Sequence, residues 1–286
     1  MAIYKHTYSP YTGPLMPRWP RFFILTRYSY ARILQSKFLI LFLALCLVYP
    51  IGCFAFIYLV NNASFLTLIN FRPGPFTAID GRFFYYYSVV QGTMAYLLTA
   101  LVGPSLISPD LVNGGLPLYL CRPFTRAEYV AGKLSVLFFL LSLITWIPGL
   151  GLFAIKASLA GWPWLTANLW LAGAIVFGSL IWIAILSLIA LALSAWIKWR
   201  LAAGALVLAV FFAGAGCAAA INSVLRTTNG SLLDLSQVVH TIWSDLFRFD
   251  SGTDMTLTSA WIVLLLAALL CLILLARRIR AFEVVK

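Results

Sequence analysis

LWLAGAIVFGSLIWIAILSLIALALSAWI, residues 169–197, runs without a single Asp, Glu, Lys, Arg or His. It is longer than the ~20 residues an α-helix needs to cross the hydrocarbon of a bilayer. In lipid every backbone N–H and C=O must be paired within the spanning structure, and a run without alternating polarity meets that demand as a helix rather than as a barrel strand. Five further uncharged runs, at 38–60, 85–107, 134–155, 202–224 and 257–276, repeat the reading. The expected fold class is therefore all-α: a polytopic integral membrane protein with about six transmembrane helices.

Composition agrees. Of 286 residues, 63% are hydrophobic and 10% charged, against roughly 25% charged in soluble domains. A water-soluble fold could not hide so much apolar surface, so one membrane domain over residues 38–276 is expected. The net charge of +12 is carried mainly at the ends of the apolar runs, which points to anionic lipid headgroups rather than nucleic acid. Cys46, Cys53, Cys121, Cys217 and Cys271 show no C-x-x-C spacing, and they read as small packing residues rather than metal ligands or disulfides. The first apolar run exceeds the ~7–15 residues of a signal-peptide core and is expected to stay as an anchor.

With six spans the two termini share a side. That side carries Lys37, Arg122, Arg126, Lys133, Lys198, Arg200 and the basic tails 1–37 and 277–286, whereas the other carries only Arg72, Arg82, Lys156, Arg226 and Arg248. The positive-inside rule makes the first set cytoplasmic, in a cytoplasmic (inner) membrane. Residues 19–37 can form an amphipathic helix along the inner interface, with Arg21, Tyr28, Arg32 and Gln35 on one face and Phe22, Phe23, Tyr30, Ile33 and Leu34 on the other; Arg27 falls at the edge of the apolar face. A plain basic flank that fixes topology is the alternative.

Pro148, Gly149 and Gly151 interrupt the outer half of the third span. The fifth is rich in small residues, among them Ala209, Ala213, Gly214 and Gly216, which suit interior packing first and a dimer or transport interface second. The outer segments 61–84 and 225–256 are polar enough to leave the membrane. Residues 233–249 suggest short amphipathic helices at the outer surface, with His240 a surface histidine.

The cytoplasmic connection, residues 108–133, reads SPDLVNGGLPLYLCRPFTRAEYVAGK. Ser108 before Pro109 and Asp110 suits the opening of a helical turn, Gly114 and Gly115 let the chain break, and Pro123 stiffens the next turn. Thr125 and Glu128 have the spacing of a capping box, so a helix should start there and run into the third span as a rigid elbow. Arg122, Arg126 and Lys133 surround the elbow, either as docking groups or as topology and lipid anchors.

This connection resembles the signature of the ABC-2 type transporter permeases. An acidic residue, a glycine turn, a Leu-rich step, a proline, Ser/Thr-Arg, an aromatic or aliphatic residue and Gly-Lys appear here as Asp110, Gly114, Leu116, Leu118, Leu120, Pro123, Thr125, Arg126, Tyr129, Gly132 and Lys133. Cys121 stands where a small polar residue is more usual. The resemblance implies a type V exporter fold, a homodimer or pseudo-dimer of permeases, and separate ABC ATPase subunits that bind ATP and Mg. It also implies that the elbow and the interfacial helix form the docking surface. The coupling residues would be Asp110, Gly114, Arg122, Pro123, Thr125, Arg126, Glu128, Gly132 and Lys133, with Arg21, Arg27 and Arg32 on the interfacial helix. The cargo expected from uncharged spans is amphipathic or lipid-like.

The chain carries no G-x-x-x-x-G-K-[ST], because Gly132-Lys133 is followed by Leu134 and lacks the earlier glycine; no bound cofactor and no enzymatic activity of its own are expected. No G-x-S-x-G or H-E-x-x-H occurs either. Two rivals remain at this point. An ion-coupled secondary transporter usually needs ionisable groups within the membrane, which these runs lack, although backbone carbonyls can bind sodium. A non-transporting membrane scaffold is the other.

Overall fold

The computed structural model describes residues 21–62, 78–113, 125–250, 252 and 255–278. Among these, the regular structure is helical: α1 (Arg21–Leu34), α2 (Lys37–Asn61), α3 (Gly81–Val102), α4 (Pro104–Val112), α5 (Arg126–Ile144), α6 (Trp146–Ala160), α7 (Trp162–Trp196), α8 (Arg200–Leu225), a 3₁₀ turn at Asn229–Leu233, α9 (Leu235–Leu246) and α10 (Leu257–Arg278). Six helical stretches are long and apolar enough to cross a membrane: α2, α3 with the adjoining part of α4, α5 with α6, α7, α8 and α10. Their number is the six that the uncharged runs predict.

α7 is the hub and packs against α3, α4, α5, α6, α8, α9 and α10. The described basic termini of the helices meet at one end of the bundle. There the Arg278 guanidinium donates to the Ala195 carbonyl at 3.3 Å and Ser108 bonds Ser194 at 3.1 Å. At the opposite end the Lys156 ammonium donates to Asn61 Oδ1 at 3.0 Å.

Prolines interrupt the hydrogen-bond ladders of two of these helices, and at the first a polar side chain repairs the gap. Pro50 has no N–H for the Cys46 carbonyl four residues earlier; Gln91 Nε2 of α3 donates to that carbonyl at 2.9 Å. Pro148 likewise leaves the Ile144 carbonyl without its helical donor, and the third span divides at Thr145 into α5 and α6. The break thus falls a residue before α6, ahead of the Pro148–Gly151 stretch that signals it. The Tyr87 hydroxyl donates to the Thr145 carbonyl at 3.0 Å and ties the break to α3.

Two indoles seal the middle of the bundle. Trp182 Nε1 donates to the Gly92 carbonyl at 2.8 Å and Trp243 Nε1 to the Gly178 carbonyl at 2.9 Å. Both acceptors are closely approached: a Cβ on Gly178 would lie 3.0 Å from Trp243 Cδ1, and one on Gly92 would lie 2.7 Å from Trp243 Cη2, where something must shift.

Three expectations are corrected. Residues 233–249 do contain an amphipathic helix, α9, but its apolar side is folded into the bundle, with Val238, Val239, Ile242 and Trp243 buried against the neighbouring helices. His240 is accordingly no surface histidine: Nδ1 lies 3.2 Å from the Tyr85 hydroxyl, and burial pushes its pKa below the usual 6.5, against a smaller upward pull from Asp234. In α8 the small residues divide: Ala209, Ala213 and Gly216 are exposed, whereas a Cβ on Gly214 would stand 2.7 Å from the Leu233 carbonyl oxygen. Interior packing within one copy therefore accounts for Gly214 but not for the other three.

Candidate functional site at the basic end

The connection between α4 and α5 has its two flanks described, while Gly114, Arg122 and Pro123 lie outside the described residues. The helix does not open at Ser108. α4 begins at Pro104, where a missing N–H costs nothing, and Ser108 lies within it. Its hydroxyl donates to the Ile197 carbonyl at 2.9 Å, while its amide donates to Ser194 Oγ at 3.1 Å, so α4 is fastened to the end of α7.

On the far flank the capping box forms as its spacing predicts. The Glu128 amide donates to Thr125 Oγ1 at 3.2 Å and the Thr125 amide to Glu128 Oε2 at 2.7 Å. α5 starts there, its first N–H groups satisfied from within. Arg126 is exposed at this start and Arg27 is exposed on α1; the side chains of Arg21 and Arg32 lie outside the description.

The two flanks are joined by a contact that the sequence reading did not find. Lys133 Nζ lies 2.9 Å from Asp110 Oδ2, and the side chains are only 6% and 16% exposed. The Tyr129 hydroxyl donates to the same oxygen at 2.8 Å, and the Lys133 ammonium stands 5.6 Å from the Tyr129 ring centre. Tyr129 and Lys133 are four residues apart, hence on one face of α5. Asp110 is in the last turn of α4, where a helix's exposed carbonyls disfavour an anion unless a cation answers it. The local signal was present: a lone carboxylate at the end of one apolar run and a lysine at the start of the next. The helix expected from Thr125 already carries Lys133; what brings the carboxylate to it is that α4 continues through Asp110.

α1 completes the site. Thr26 Oγ1 donates to the Gly132 carbonyl at 3.2 Å and lies 2.8 Å from Ser135 Oγ. Among the described side chains of α1, Thr26, Ser29 and Ile33 are buried and Tyr30 is half-buried; Leu34, expected on the apolar face, is exposed. Two hydroxyls therefore belong to the packed face, an arrangement that hydrophobic periodicity does not reveal. The clamp so formed links α1, α4, α5 and α7. Among the described residues no group of three or more His, Cys, Asp or Glu side chains could hold a metal ion.

No family model matches this chain, and no curated protein matches it. Fold and site define a helical protein whose six apolar helices fit a multi-pass membrane protein, with a buried ion pair bridging two of them at the basic end.

Proposed function

We propose that the chain is the permease subunit of an ATP-binding cassette exporter, moving an amphipathic or lipid-like substrate across the cytoplasmic membrane with ATP hydrolysed by separate subunits. The observation that carries the reading is the clamp itself: Asp110, Tyr129 and Lys133, three residues of the ABC-2-like motif, meet in one buried contact beside the Thr125–Glu128 capping box. Exposed Arg126 offers a charge for an acidic surface of the ATPase. A push on the elbow would then move α4 and α5 as one body. The exposed small residues of α8 support pairing with a second permease copy, because small side chains let helices approach closely in lipid.

The test is purification with an ATPase partner and reconstitution. Substrate-stimulated ATP hydrolysis is expected for the native chain and is expected to be lost for the double variant Arg126→Glu with Pro123→Gly, with the complex still monodisperse. Unchanged coupling would remove the proposed role of the elbow.

One observation favours the ion-coupled reading as an alternative. Asp110 and Lys133 lie just outside the uncharged runs 85–107 and 134–155, yet within the continuous membrane-length helices, and buried carboxylates of this kind carry protons in transporters. Uptake or efflux driven by an imposed ion gradient without ATP, and abolished by Asp110→Asn, would select it.

A further inference from the structure

A cavity of about 660 Å³ opens at the basic end between α2 and α8. Each of these helices packs on α3, which forms the back wall through Leu97 and Leu101. Deep in the bundle the Tyr96 hydroxyl donates to the Leu208 carbonyl at 2.8 Å, joining α3 to α8 where the cavity ends. At Gly204 α8 comes close to α3, so close that a Cβ there would stand 2.7 Å from the Ala100 carbonyl oxygen. From Arg200 to Leu208 the lining rises about 12 Å along the helix, close to the depth of one leaflet's hydrocarbon.

The lining is of two kinds. Arg200, Lys133 and Asp110 are charged, with Arg200 exposed and Lys133 buried; Phe38, Phe42, Leu201 and Leu208 are apolar. Arg200 is exposed at the first residue of α8 and makes no hydrogen bond or ion pair with any described residue. Lys133 is buried, and its ammonium has three donors, of which the contact with Asp110 occupies one. Two cations and one carboxylate leave a single positive charge, which a phosphodiester would neutralise. Guanidinium and ammonium groups are both good phosphate donors, the former in a bidentate fork.

We propose that this cavity binds one anionic membrane phospholipid, its phosphate held by Arg200 and Lys133 and an acyl chain laid along α8 between Phe42 and Leu208. A free phosphate would leave the apolar walls unfilled. A second protein copy would bring no anion of its own to Arg200 from an uncharged span. The lipid would reach the cavity sideways from the membrane, and its phosphate would share Lys133 with Asp110, so that occupancy bears on the clamp between α4 and α5. The proposal rests on the helices lying in a bilayer and is independent of any ATPase partner.

The experiment uses the full chain, delipidated in mild detergent and titrated with dioleoyl phosphatidylglycerol or dioleoyl phosphatidylcholine, with bound lipid counted by native mass spectrometry. One phosphatidylglycerol per chain is expected, held at least about tenfold more tightly than phosphatidylcholine, as the repulsion between the site's excess positive charge and the choline ammonium implies. Arg200→Gln should abolish the preference, Ala205→Trp should fill the cavity and weaken both lipids, and Arg226→Gln at the opposite end should change neither. Melting curves identify any variant that fails to fold; since Arg200 and Ala205 are both exposed, native-like melting is expected. Equal retention of the two lipids, a preference that survives Arg200→Gln, displacement by millimolar inorganic phosphate, or exclusion of lipid by a second copy of the chain would each overturn the assignment.

Discussion

α2 and α7 have the same mean hydropathy, 2.6, over their most apolar windows, yet 22% of that window is buried within the chain in α2 and 67% in α7. Hydropathy decides that a helix enters lipid; it does not decide which helix becomes the centre. In α2 the buried residues are Cys46, Pro50, Cys53 and Ile57, a single stripe at spacings of three and four. α7 instead buries residues around much of its circumference and uses glycine, serine and tryptophan to let neighbours approach and to bond their backbones. Lipid tails are as apolar as leucine, so helices associate through close packing and hydrogen bonds rather than through hydrophobicity.

The contrast can be broken most forcefully where charge lies among the packed helices. Asp110→Asn leaves the Lys133 ammonium buried without its counter-charge, and a loss of about 3–5 kcal/mol is expected, read as a large fall in detergent melting temperature. Adding Lys133→Met should recover much of that loss, because the uncompensated charge is then gone. A single variant no less stable than the native chain would show that the pair is solvated and contributes little.

A matched pair of glycine substitutions sharpens the comparison itself. Gly178→Leu in α7 drives a side chain against Trp243 and should destabilise by about 1–3 kcal/mol. A Cβ on Gly52 in α2 would meet nothing within 4 Å, and Gly52→Leu should stay within about 0.5 kcal/mol of native. Similar melting shifts for the two would contradict the division into hub and periphery.

The smallest effect concerns the end opposite the clamp. Burial holds His240 below its ordinary pKa of 6.5, with Asp234 opposing, so the folded chain binds fewer protons at this site than the unfolded one once pH falls below 6.5. Stability from this site is present above pH 6.5 and declines as the pH drops toward the folded value. Melting of the native chain should therefore weaken on acidification through that window, and His240→Gln should flatten the dependence. An unchanged slope would show that another group is responsible.

How much of this was legible follows from how far each signal reaches along the chain. The helices, the Thr125–Glu128 cap and the disturbance near Pro148 depend on residues within a few positions of one another, and all could be read. The Lys133–Asp110 pair joins the last turn of one helix to the first turns of another; the capping box already put Lys133 on a helix, whereas the continuation of α4 past its uncharged run to Asp110 was not legible. The insertion of α9 and the burial of His240 depend on a gap among α3, α7 and α10 that no local pattern encodes. The small residues of α8 were legible as a device for close approach, but not as facing outward. Their exposure is set by the neighbours of α8, and a face without a partner in this chain looks the same in sequence as a packed one.

The account turns on residues 108–133 lying on the inner side of the membrane, where an ATPase could reach them, and Cys121 within that connection is a native probe. With Cys46, Cys53, Cys217 and Cys271 replaced by alanine, a membrane-impermeant maleimide should label Cys121 in inverted vesicles and leave it unlabelled in intact cells. Labelling from the outer side would contradict the orientation and, with it, the proposed transmission of force through Asp110, Tyr129 and Lys133.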